Sequence, residues 1–257
     1  MTISRHNYRV QKDIPFHFEI DRSGRHSASA ILVHNTRYAQ IISRHCDSMT
    51  CLGIHSQFEI HEAVYRGRTV LIGVTGIGPL ATSIMVHELI GLGVDSFCKL
   101  GSVGGISDTM RVGDFVIPTG FVREDGTSEG YVSLNYPSVP SNEIQTRLGA
   151  SLDAARHTYH RGMILTKNSY YSSLSIADYD YWRDRGVLAI ELECAPIFVI
   201  VSLKEKKAGA LLVCNRSYEQ IAEMKSSPSV RWKDDIDSQL GDAVASCLES
   251  VIDFPSE

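Results

Sequence analysis

Residues 98–105 read Cys98-Lys99-Leu100-Gly101-Ser102-Val103-Gly104-Gly105, and residues 189–193 read Ala189-Ile190-Glu191-Leu192-Glu193. The first stretch is an apolar strand running into a tight glycine turn that carries a cation and a hydroxyl. The second is an apolar strand ending on two acids. In a parallel α/β sheet, polar groups at the carboxyl ends of strands face the ligand crevice. A lysine and a serine opposite carboxylates suit a ligand with an anion at one end and sugar hydroxyls at the other. The two stretches together point to chemistry on a nucleoside or a sugar phosphate.

The flanking sequence alternates strand and helix. Ala28–Val33, a hairpin from Ala63–Tyr65 and Thr69–Thr75, Ser96–Leu100, Asp114–Pro118, Arg161–Thr166, Val187–Leu192 and Ala208–Cys214 read as strands. Leu80–Leu92, Ile144–Ala155, Ile176–Arg185, Ala195–Glu205 and Asp235–Ile252 read as helices, with Pro79 suited to a first helical turn and Gly93 to a C-cap. This alternation predicts an α/β single domain with a central, mostly parallel or mixed sheet flanked by helices. No Gly/Ser/Pro linker divides it, so residues 28–257 form the domain and residues 1–27 an N-terminal arm.

Composition excludes several classes. A net charge of −5, with basic residues scattered singly or in pairs, argues against a nucleic-acid partner. The six cysteines show no CxxC spacing, so neither a metal centre nor a disulfide framework is expected. No apolar run approaches the roughly 20 residues a membrane span needs. Residues 1–11 do not resemble a signal peptide, and the expected location is cytoplasmic.

Individual motifs keep two readings open. Gly76-Ile77-Gly78 begins like a dinucleotide fingerprint but lacks the third glycine, and such a turn also merely bends a strand into a helix. Lys99 and Ser102 around the glycines can hold an oxyanion, or line an exposed corner. Glu191 and Glu193 alternate along a strand and so share a face, where a carboxylate can accept two sugar hydroxyls. Otherwise they form a solvated strand end. Arg216 can meet a base carbonyl or pair at the surface. Tyr170-Tyr171 can stack on a base or cover a core edge. No Ser stands in a GxSxG context, which argues against a triad hydrolase.

Taken together, the motifs resemble the nucleoside phosphorylase superfamily, and within it the uridine phosphorylases. They are Thr75-Gly76-Ile77-Gly78, Leu100-Gly101-Ser102, residues 122–128 (Val-Arg-Glu-Asp-Gly-Thr-Ser), Tyr136-Pro137-Ser138-Val139, Glu191-Leu192-Glu193 and Val213-Cys214-Asn215-Arg216. The resemblance implies reversible phosphorolysis of a nucleoside to free base and (deoxy)ribose 1-phosphate, with inorganic phosphate as co-substrate and no organic cofactor. By position it implies a phosphate side of Arg37, Lys99 and Ser102. It implies ribose binding by Glu191, Leu192 and Glu193, with His17 facing the ribose 5′ end of an adjacent subunit. Base contacts fall to Tyr170, Gly104 and Arg216, the last also catalytic. A homo-oligomer, a dimer or trimer of dimers, is implied as well.

Four departures accompany the resemblance. Val33-His34-Asn35 stands where the family has a Gly-Asp-Pro phosphate loop. Lys99 replaces an arginine and so lacks its fork geometry. Ser56 falls near the position of an arginine donated across the dimer interface. Ser172-Ser173-Leu174-Ser175-Ile176 follows the tyrosines, where the uridine branch reads uracil with a Gln-x-Arg pair. Asn215 stands where purine-cleaving relatives carry an acid, which favours the uridine branch. A nucleoside hydrolase on the same scaffold, and a non-catalytic subunit acting beside a paralogue, are the competing functions.

Overall fold

The computed structural model describes residues 17–18, 20, 26–170, 176–226 and 236–252. Most of the expected arm, together with Tyr171 and residues 172–175, lies outside the described residues. The strands are β1 (Ser29–Val33), β2 (Ser48–His55), β3 (Phe58–Tyr65), β4 (Arg68–Val74) and β5 (Ser96–Gly105). They continue with β6 (Phe115–Glu124), β7 (Tyr159–Lys167), β8 (Val187–Glu191) and β9 (Lys207–Arg216). The helices are α1 (Thr36–Ser43), α2 (Pro79–Gly91), α3 (Asn142–Ala154), α4 (Ile176–Arg183), α5 (Cys194–Leu203), α6 (Tyr218–Ser226) and α7 (Asp237–Val251).

The nine strands form one mixed sheet in the order β2-β3-β4-β1-β5-β8-β7-β6-β9, and β9 pairs again with β5. Strands β5, β8, β7, β6 and β9 therefore close into a ring, which removes the sheet edge on that side. Strand β5 runs parallel to β1 and β9 but antiparallel to β8. Successive β5 residues face opposite cores. Phe97 packs in a cluster with Met85 and Leu89 of α2 and Phe198 of α5. Cys98 and Leu100 pack in a second cluster with Leu148 of α3 and Leu248 of α7. Burial on both faces explains why β5 and β9 read as continuous apolar runs.

The glycine segment differs from the expected turn. Strand β5 continues to Gly105, and none of Gly101, Gly104 or Gly105 has a positive φ. Their role is close approach. A Cβ on Gly104 would stand 2.9 Å from Ile221 Cδ1, and one on Gly105 2.7 Å from Met110 Cβ. Positive φ is found at the GxG turn instead, where Gly76 (φ 74°) and the helix N-cap Gly78 (φ 105°) swing the chain from β4 into α2.

Candidate active site

The site is built on the ends of β1, β5 and β8. Strand β5 places Phe97, Lys99 and Gly101 on one face. Gly101 leaves room for the lysine: a Cβ there would lie 3.2 Å from Lys99 Cε. Lys99 is only 1% exposed. Its Nζ lies 3.7 Å from Glu193 Oε2, and it has no hydrogen-bond partner among the described residues. A buried ammonium lacking acceptors is costly, and three N–H donors remain for an incoming anion.

Glu193 does not share a strand face with Glu191, contrary to the sequence reading. Strand β8 ends at Glu191, and Glu193 (φ −135°, ψ −25°) is the N-cap residue of α5. The two acids also differ in their partners. Glu191 Oε2 accepts from the backbone N–H groups of Glu193 at 2.6 Å and Cys194 at 2.8 Å, and Oε1 accepts from the Thr166 hydroxyl. Thr166 Oγ1 in turn accepts from Ala195 N at 3.1 Å. Burial first, and then the Glu193 charge, raise Glu191 to about 7, against the pull of those hydrogen bonds. Glu191 is thus committed to the backbone, while Glu193 faces Lys99. Leu192, between them, is half-buried.

At the end of β1 stand His34 and Asn35, where the resemblance implied a phosphate loop. Asn35 caps α1, its side-chain oxygen accepting from Tyr38 N at 3.0 Å. Its Nδ2 lies 2.9 Å from His34 Nε2. Burial, and secondarily the Lys99 charge, depress His34 to about 3, so its ring is neutral at ordinary pH. Arg37 points elsewhere: its NH2 pairs with Asp237 at 2.7 Å on the exposed side of α1. Ser102 lies on the opposite face of β5 from Lys99, and its Oγ accepts from Asn215 Nδ2 at 3.4 Å.

Gly104 continues the Ser102 face. A Cβ there would crowd Ile221 and Ile190, and Arg216 is its register partner on β9. Ile190 and Ile221 belong to a small apolar cluster with Leu165 and Tyr179. Gly104 is thus required by the close approach of Ile221 and Ile190. Tyr170 is 59% exposed. His17 is held by its own chain, its Nδ1 lying 3.0 Å from Glu88 Oε1. The structure therefore brings Lys99 and Glu193 together, and Ser102, Gly104 and Arg216 along one strand pair. It leaves Arg37 outside that group.

Sequence reasoning passed over two residues: Thr166, which anchors Glu191, and His34, noted only as a departure. A hydroxyl closing the apolar run Met163-Ile164-Leu165 was the available signal for the first.

The comparisons agree with this fold. The family model described as "Phosphorylase superfamily" matches residues 29–251. A guanosine phosphorylase of Halorubrum lacusprofundi is 35% identical over 166 residues, covering 65% of this chain and 68% of that relative. The uridine phosphorylase of Escherichia coli is 27% identical over 228 residues, covering 82% and 90%. The crystal structure of uridine phosphorylase from Vibrio fischeri superposes with a TM-score of 0.82 at 23% identity, over 93% of this chain and 97% of that one; it establishes the fold. With a family match across nearly the whole described domain, the chain belongs to the phosphorylase superfamily.

Proposed function

We propose that this chain is a nucleoside phosphorylase: inorganic phosphate displaces the base of a nucleoside, giving free base and the pentose 1-phosphate. The observation that carries the reading is the buried, hydrogen-bond-deficient Lys99 ammonium beside Glu193. Lys99 receives the phosphate. Glu193 accepts the sugar hydroxyls, and its negative charge favours the cationic sugar of an oxocarbenium-like transition state. The base lies against Ile190 and Ile221, and Arg216 donates to its carbonyl as negative charge develops on the leaving ring. Asn215 occupies the position where purine-cleaving relatives place an acid. The leaving group is therefore stabilised by hydrogen bonds rather than by a proton from that residue, which favours a pyrimidine such as uracil.

The test is incubation with uridine, thymidine, cytidine, inosine, guanosine and adenosine, with and without phosphate, followed by chromatography of base and sugar. Phosphate-dependent release of a base with formation of a pentose phosphate is expected. Equal release without phosphate, yielding free pentose, makes the enzyme a hydrolase. One observation favours that second reading: among the described residues Glu193 is paired with Lys99, whose charge it already balances. No release from any nucleoside refutes both readings and leaves the non-catalytic one.

A further inference from the structure

We infer that Glu191 is a positioning residue rather than a ligand of the sugar, and that Thr166 is its partner. The pair fixes the corner between β8 and α5 so that the Glu193 carboxylate stands opposite Lys99. The inference rests on the proposed reading of Glu193 as the sugar acceptor. Both residues are buried, and their strands are in register, Thr166 opposite Glu191.

All the short bonds of the corner converge on these two side chains. One Glu191 oxygen takes the N–H groups of Glu193 and Cys194, and the other takes the Thr166 hydroxyl. Thr166 then accepts the next N–H, that of Ala195. Three successive backbone donors at the start of α5, which have no intrahelical acceptor, are thereby satisfied by two side chains. Glu193 lies inside this clamp with its backbone fixed at 2.6 Å and its side chain left over for a ligand. A carboxylate whose two oxygens already accept three donors has little capacity left for sugar hydroxyls. The loss of about 1 Å in placement at such a site reduces rates on the order of a hundredfold.

The experiment compares E191A, E191Q, T166V and T166S in steady-state kinetics, with thermal unfolding confirming that each folds. E191Q keeps an acceptor for the backbone donors and T166S keeps the hydroxyl. E191A and T166V are expected to raise the nucleoside KM about tenfold or more with the phosphate KM unmoved, while E191Q and T166S recover most of that loss. Equal damage from E191Q and E191A overturns the inference, because it makes the Glu191 charge a direct sugar contact. Unfolding at lower temperature with no change in nucleoside KM also overturns it, because the role is then structural only. Crystal structures of E191Q and E191A read the same point without activity. Glu193 should keep its place by Lys99 in the first and leave it in the second; an unmoved Glu193 in E191A overturns the inference. Wild-type protein that releases no base refutes the proposed function, and these structures still decide the role of Glu191.

Discussion

The two sides of the proposed site are built to different standards. On the proposed sugar side Thr166, Glu191 and the first N–H groups of α5 form a closed set that leaves the Glu193 carboxylate available. On the anion side the parts are few and loosely joined. Among the described residues Lys99 has no hydrogen bond, His34 is a neutral ring, Arg37 is turned to Asp237, and Ser102 accepts one long contact from Asn215. A preorganised acceptor loses little entropy when the sugar binds. A lone lysine supplies charge but not direction. Sugar recognition should therefore be tight and phosphate recognition weak.

The sharpest way to break this comparison is to remove the acceptor itself. Glu193→Ala is expected to lower kcat/KM about a hundredfold or more, since each hydrogen bond to a charged group contributes roughly 1.5–3 kcal/mol. The loss should appear mainly against nucleoside concentration. Lys99→Met comes next, raising the phosphate KM about ten- to a hundredfold and leaving the nucleoside KM nearly unchanged. If both variants shift the same constant, the division into a sugar side and an anion side is wrong.

A smaller effect concerns stability. Glu191 is raised from 4.5 to about 7 by burial and by Glu193. Its protonated form stabilises the fold, fully so below the unfolded value near 4.5, and that contribution is lost as pH rises through about 7. Cys194, Lys99 and Glu193 face the same pocket. The unfolding temperature of wild type should accordingly fall relative to E191Q between about pH 4.5 and 8. Parallel curves for the two proteins would show that Glu191 carries no such strain. The sugar side would then owe its order to the hydrogen bonds alone.

The strands around the site follow from patterns the sequence displays, but three elements were not read from it. Strand β2 is exposed at most of its positions, so no apolar alternation marks it. Helix α1 does have a signal: Tyr38, Ala39, Ile41 and Ile42 are buried and Asn35 caps them, but the segment is short and its cap sits where the family resemblance drew attention to a missing loop. Helix α6 is shorter than the roughly 12–15 residues that would make a helix stable by itself. The glycine run was legible as important and illegible as structure. Gly104 and Gly105 serve the approach of side chains from α6 and from β9's neighbourhood, and such long-range contacts leave no local pattern. Lys99 and Glu193 could be named from type and position. The separate fate of Glu191 could not, because a one-residue change in where β8 ends moves the two acids onto different elements.

The last prediction bears on why the anion side is sparse. Arg37 and Asp237 pair at 2.7 Å with both side chains about half exposed, and exposed pairs contribute about 0–1 kcal/mol. Arg37→Ala should therefore change the unfolding temperature little and the phosphate KM by less than about twofold. Asp237→Asn is the more telling variant, because it keeps the shape of the α7 start and removes only the charge that holds the guanidinium. If α1 lets Arg37 turn toward Lys99, the phosphate KM should fall by a few-fold, the scale of a weakly screened surface charge. A phosphate KM unchanged in both variants would mean that Lys99 acts without Arg37. The sparse anion side is then a fixed property of the β1–α1 connection, in which Asn35 serves the helix rather than the ligand.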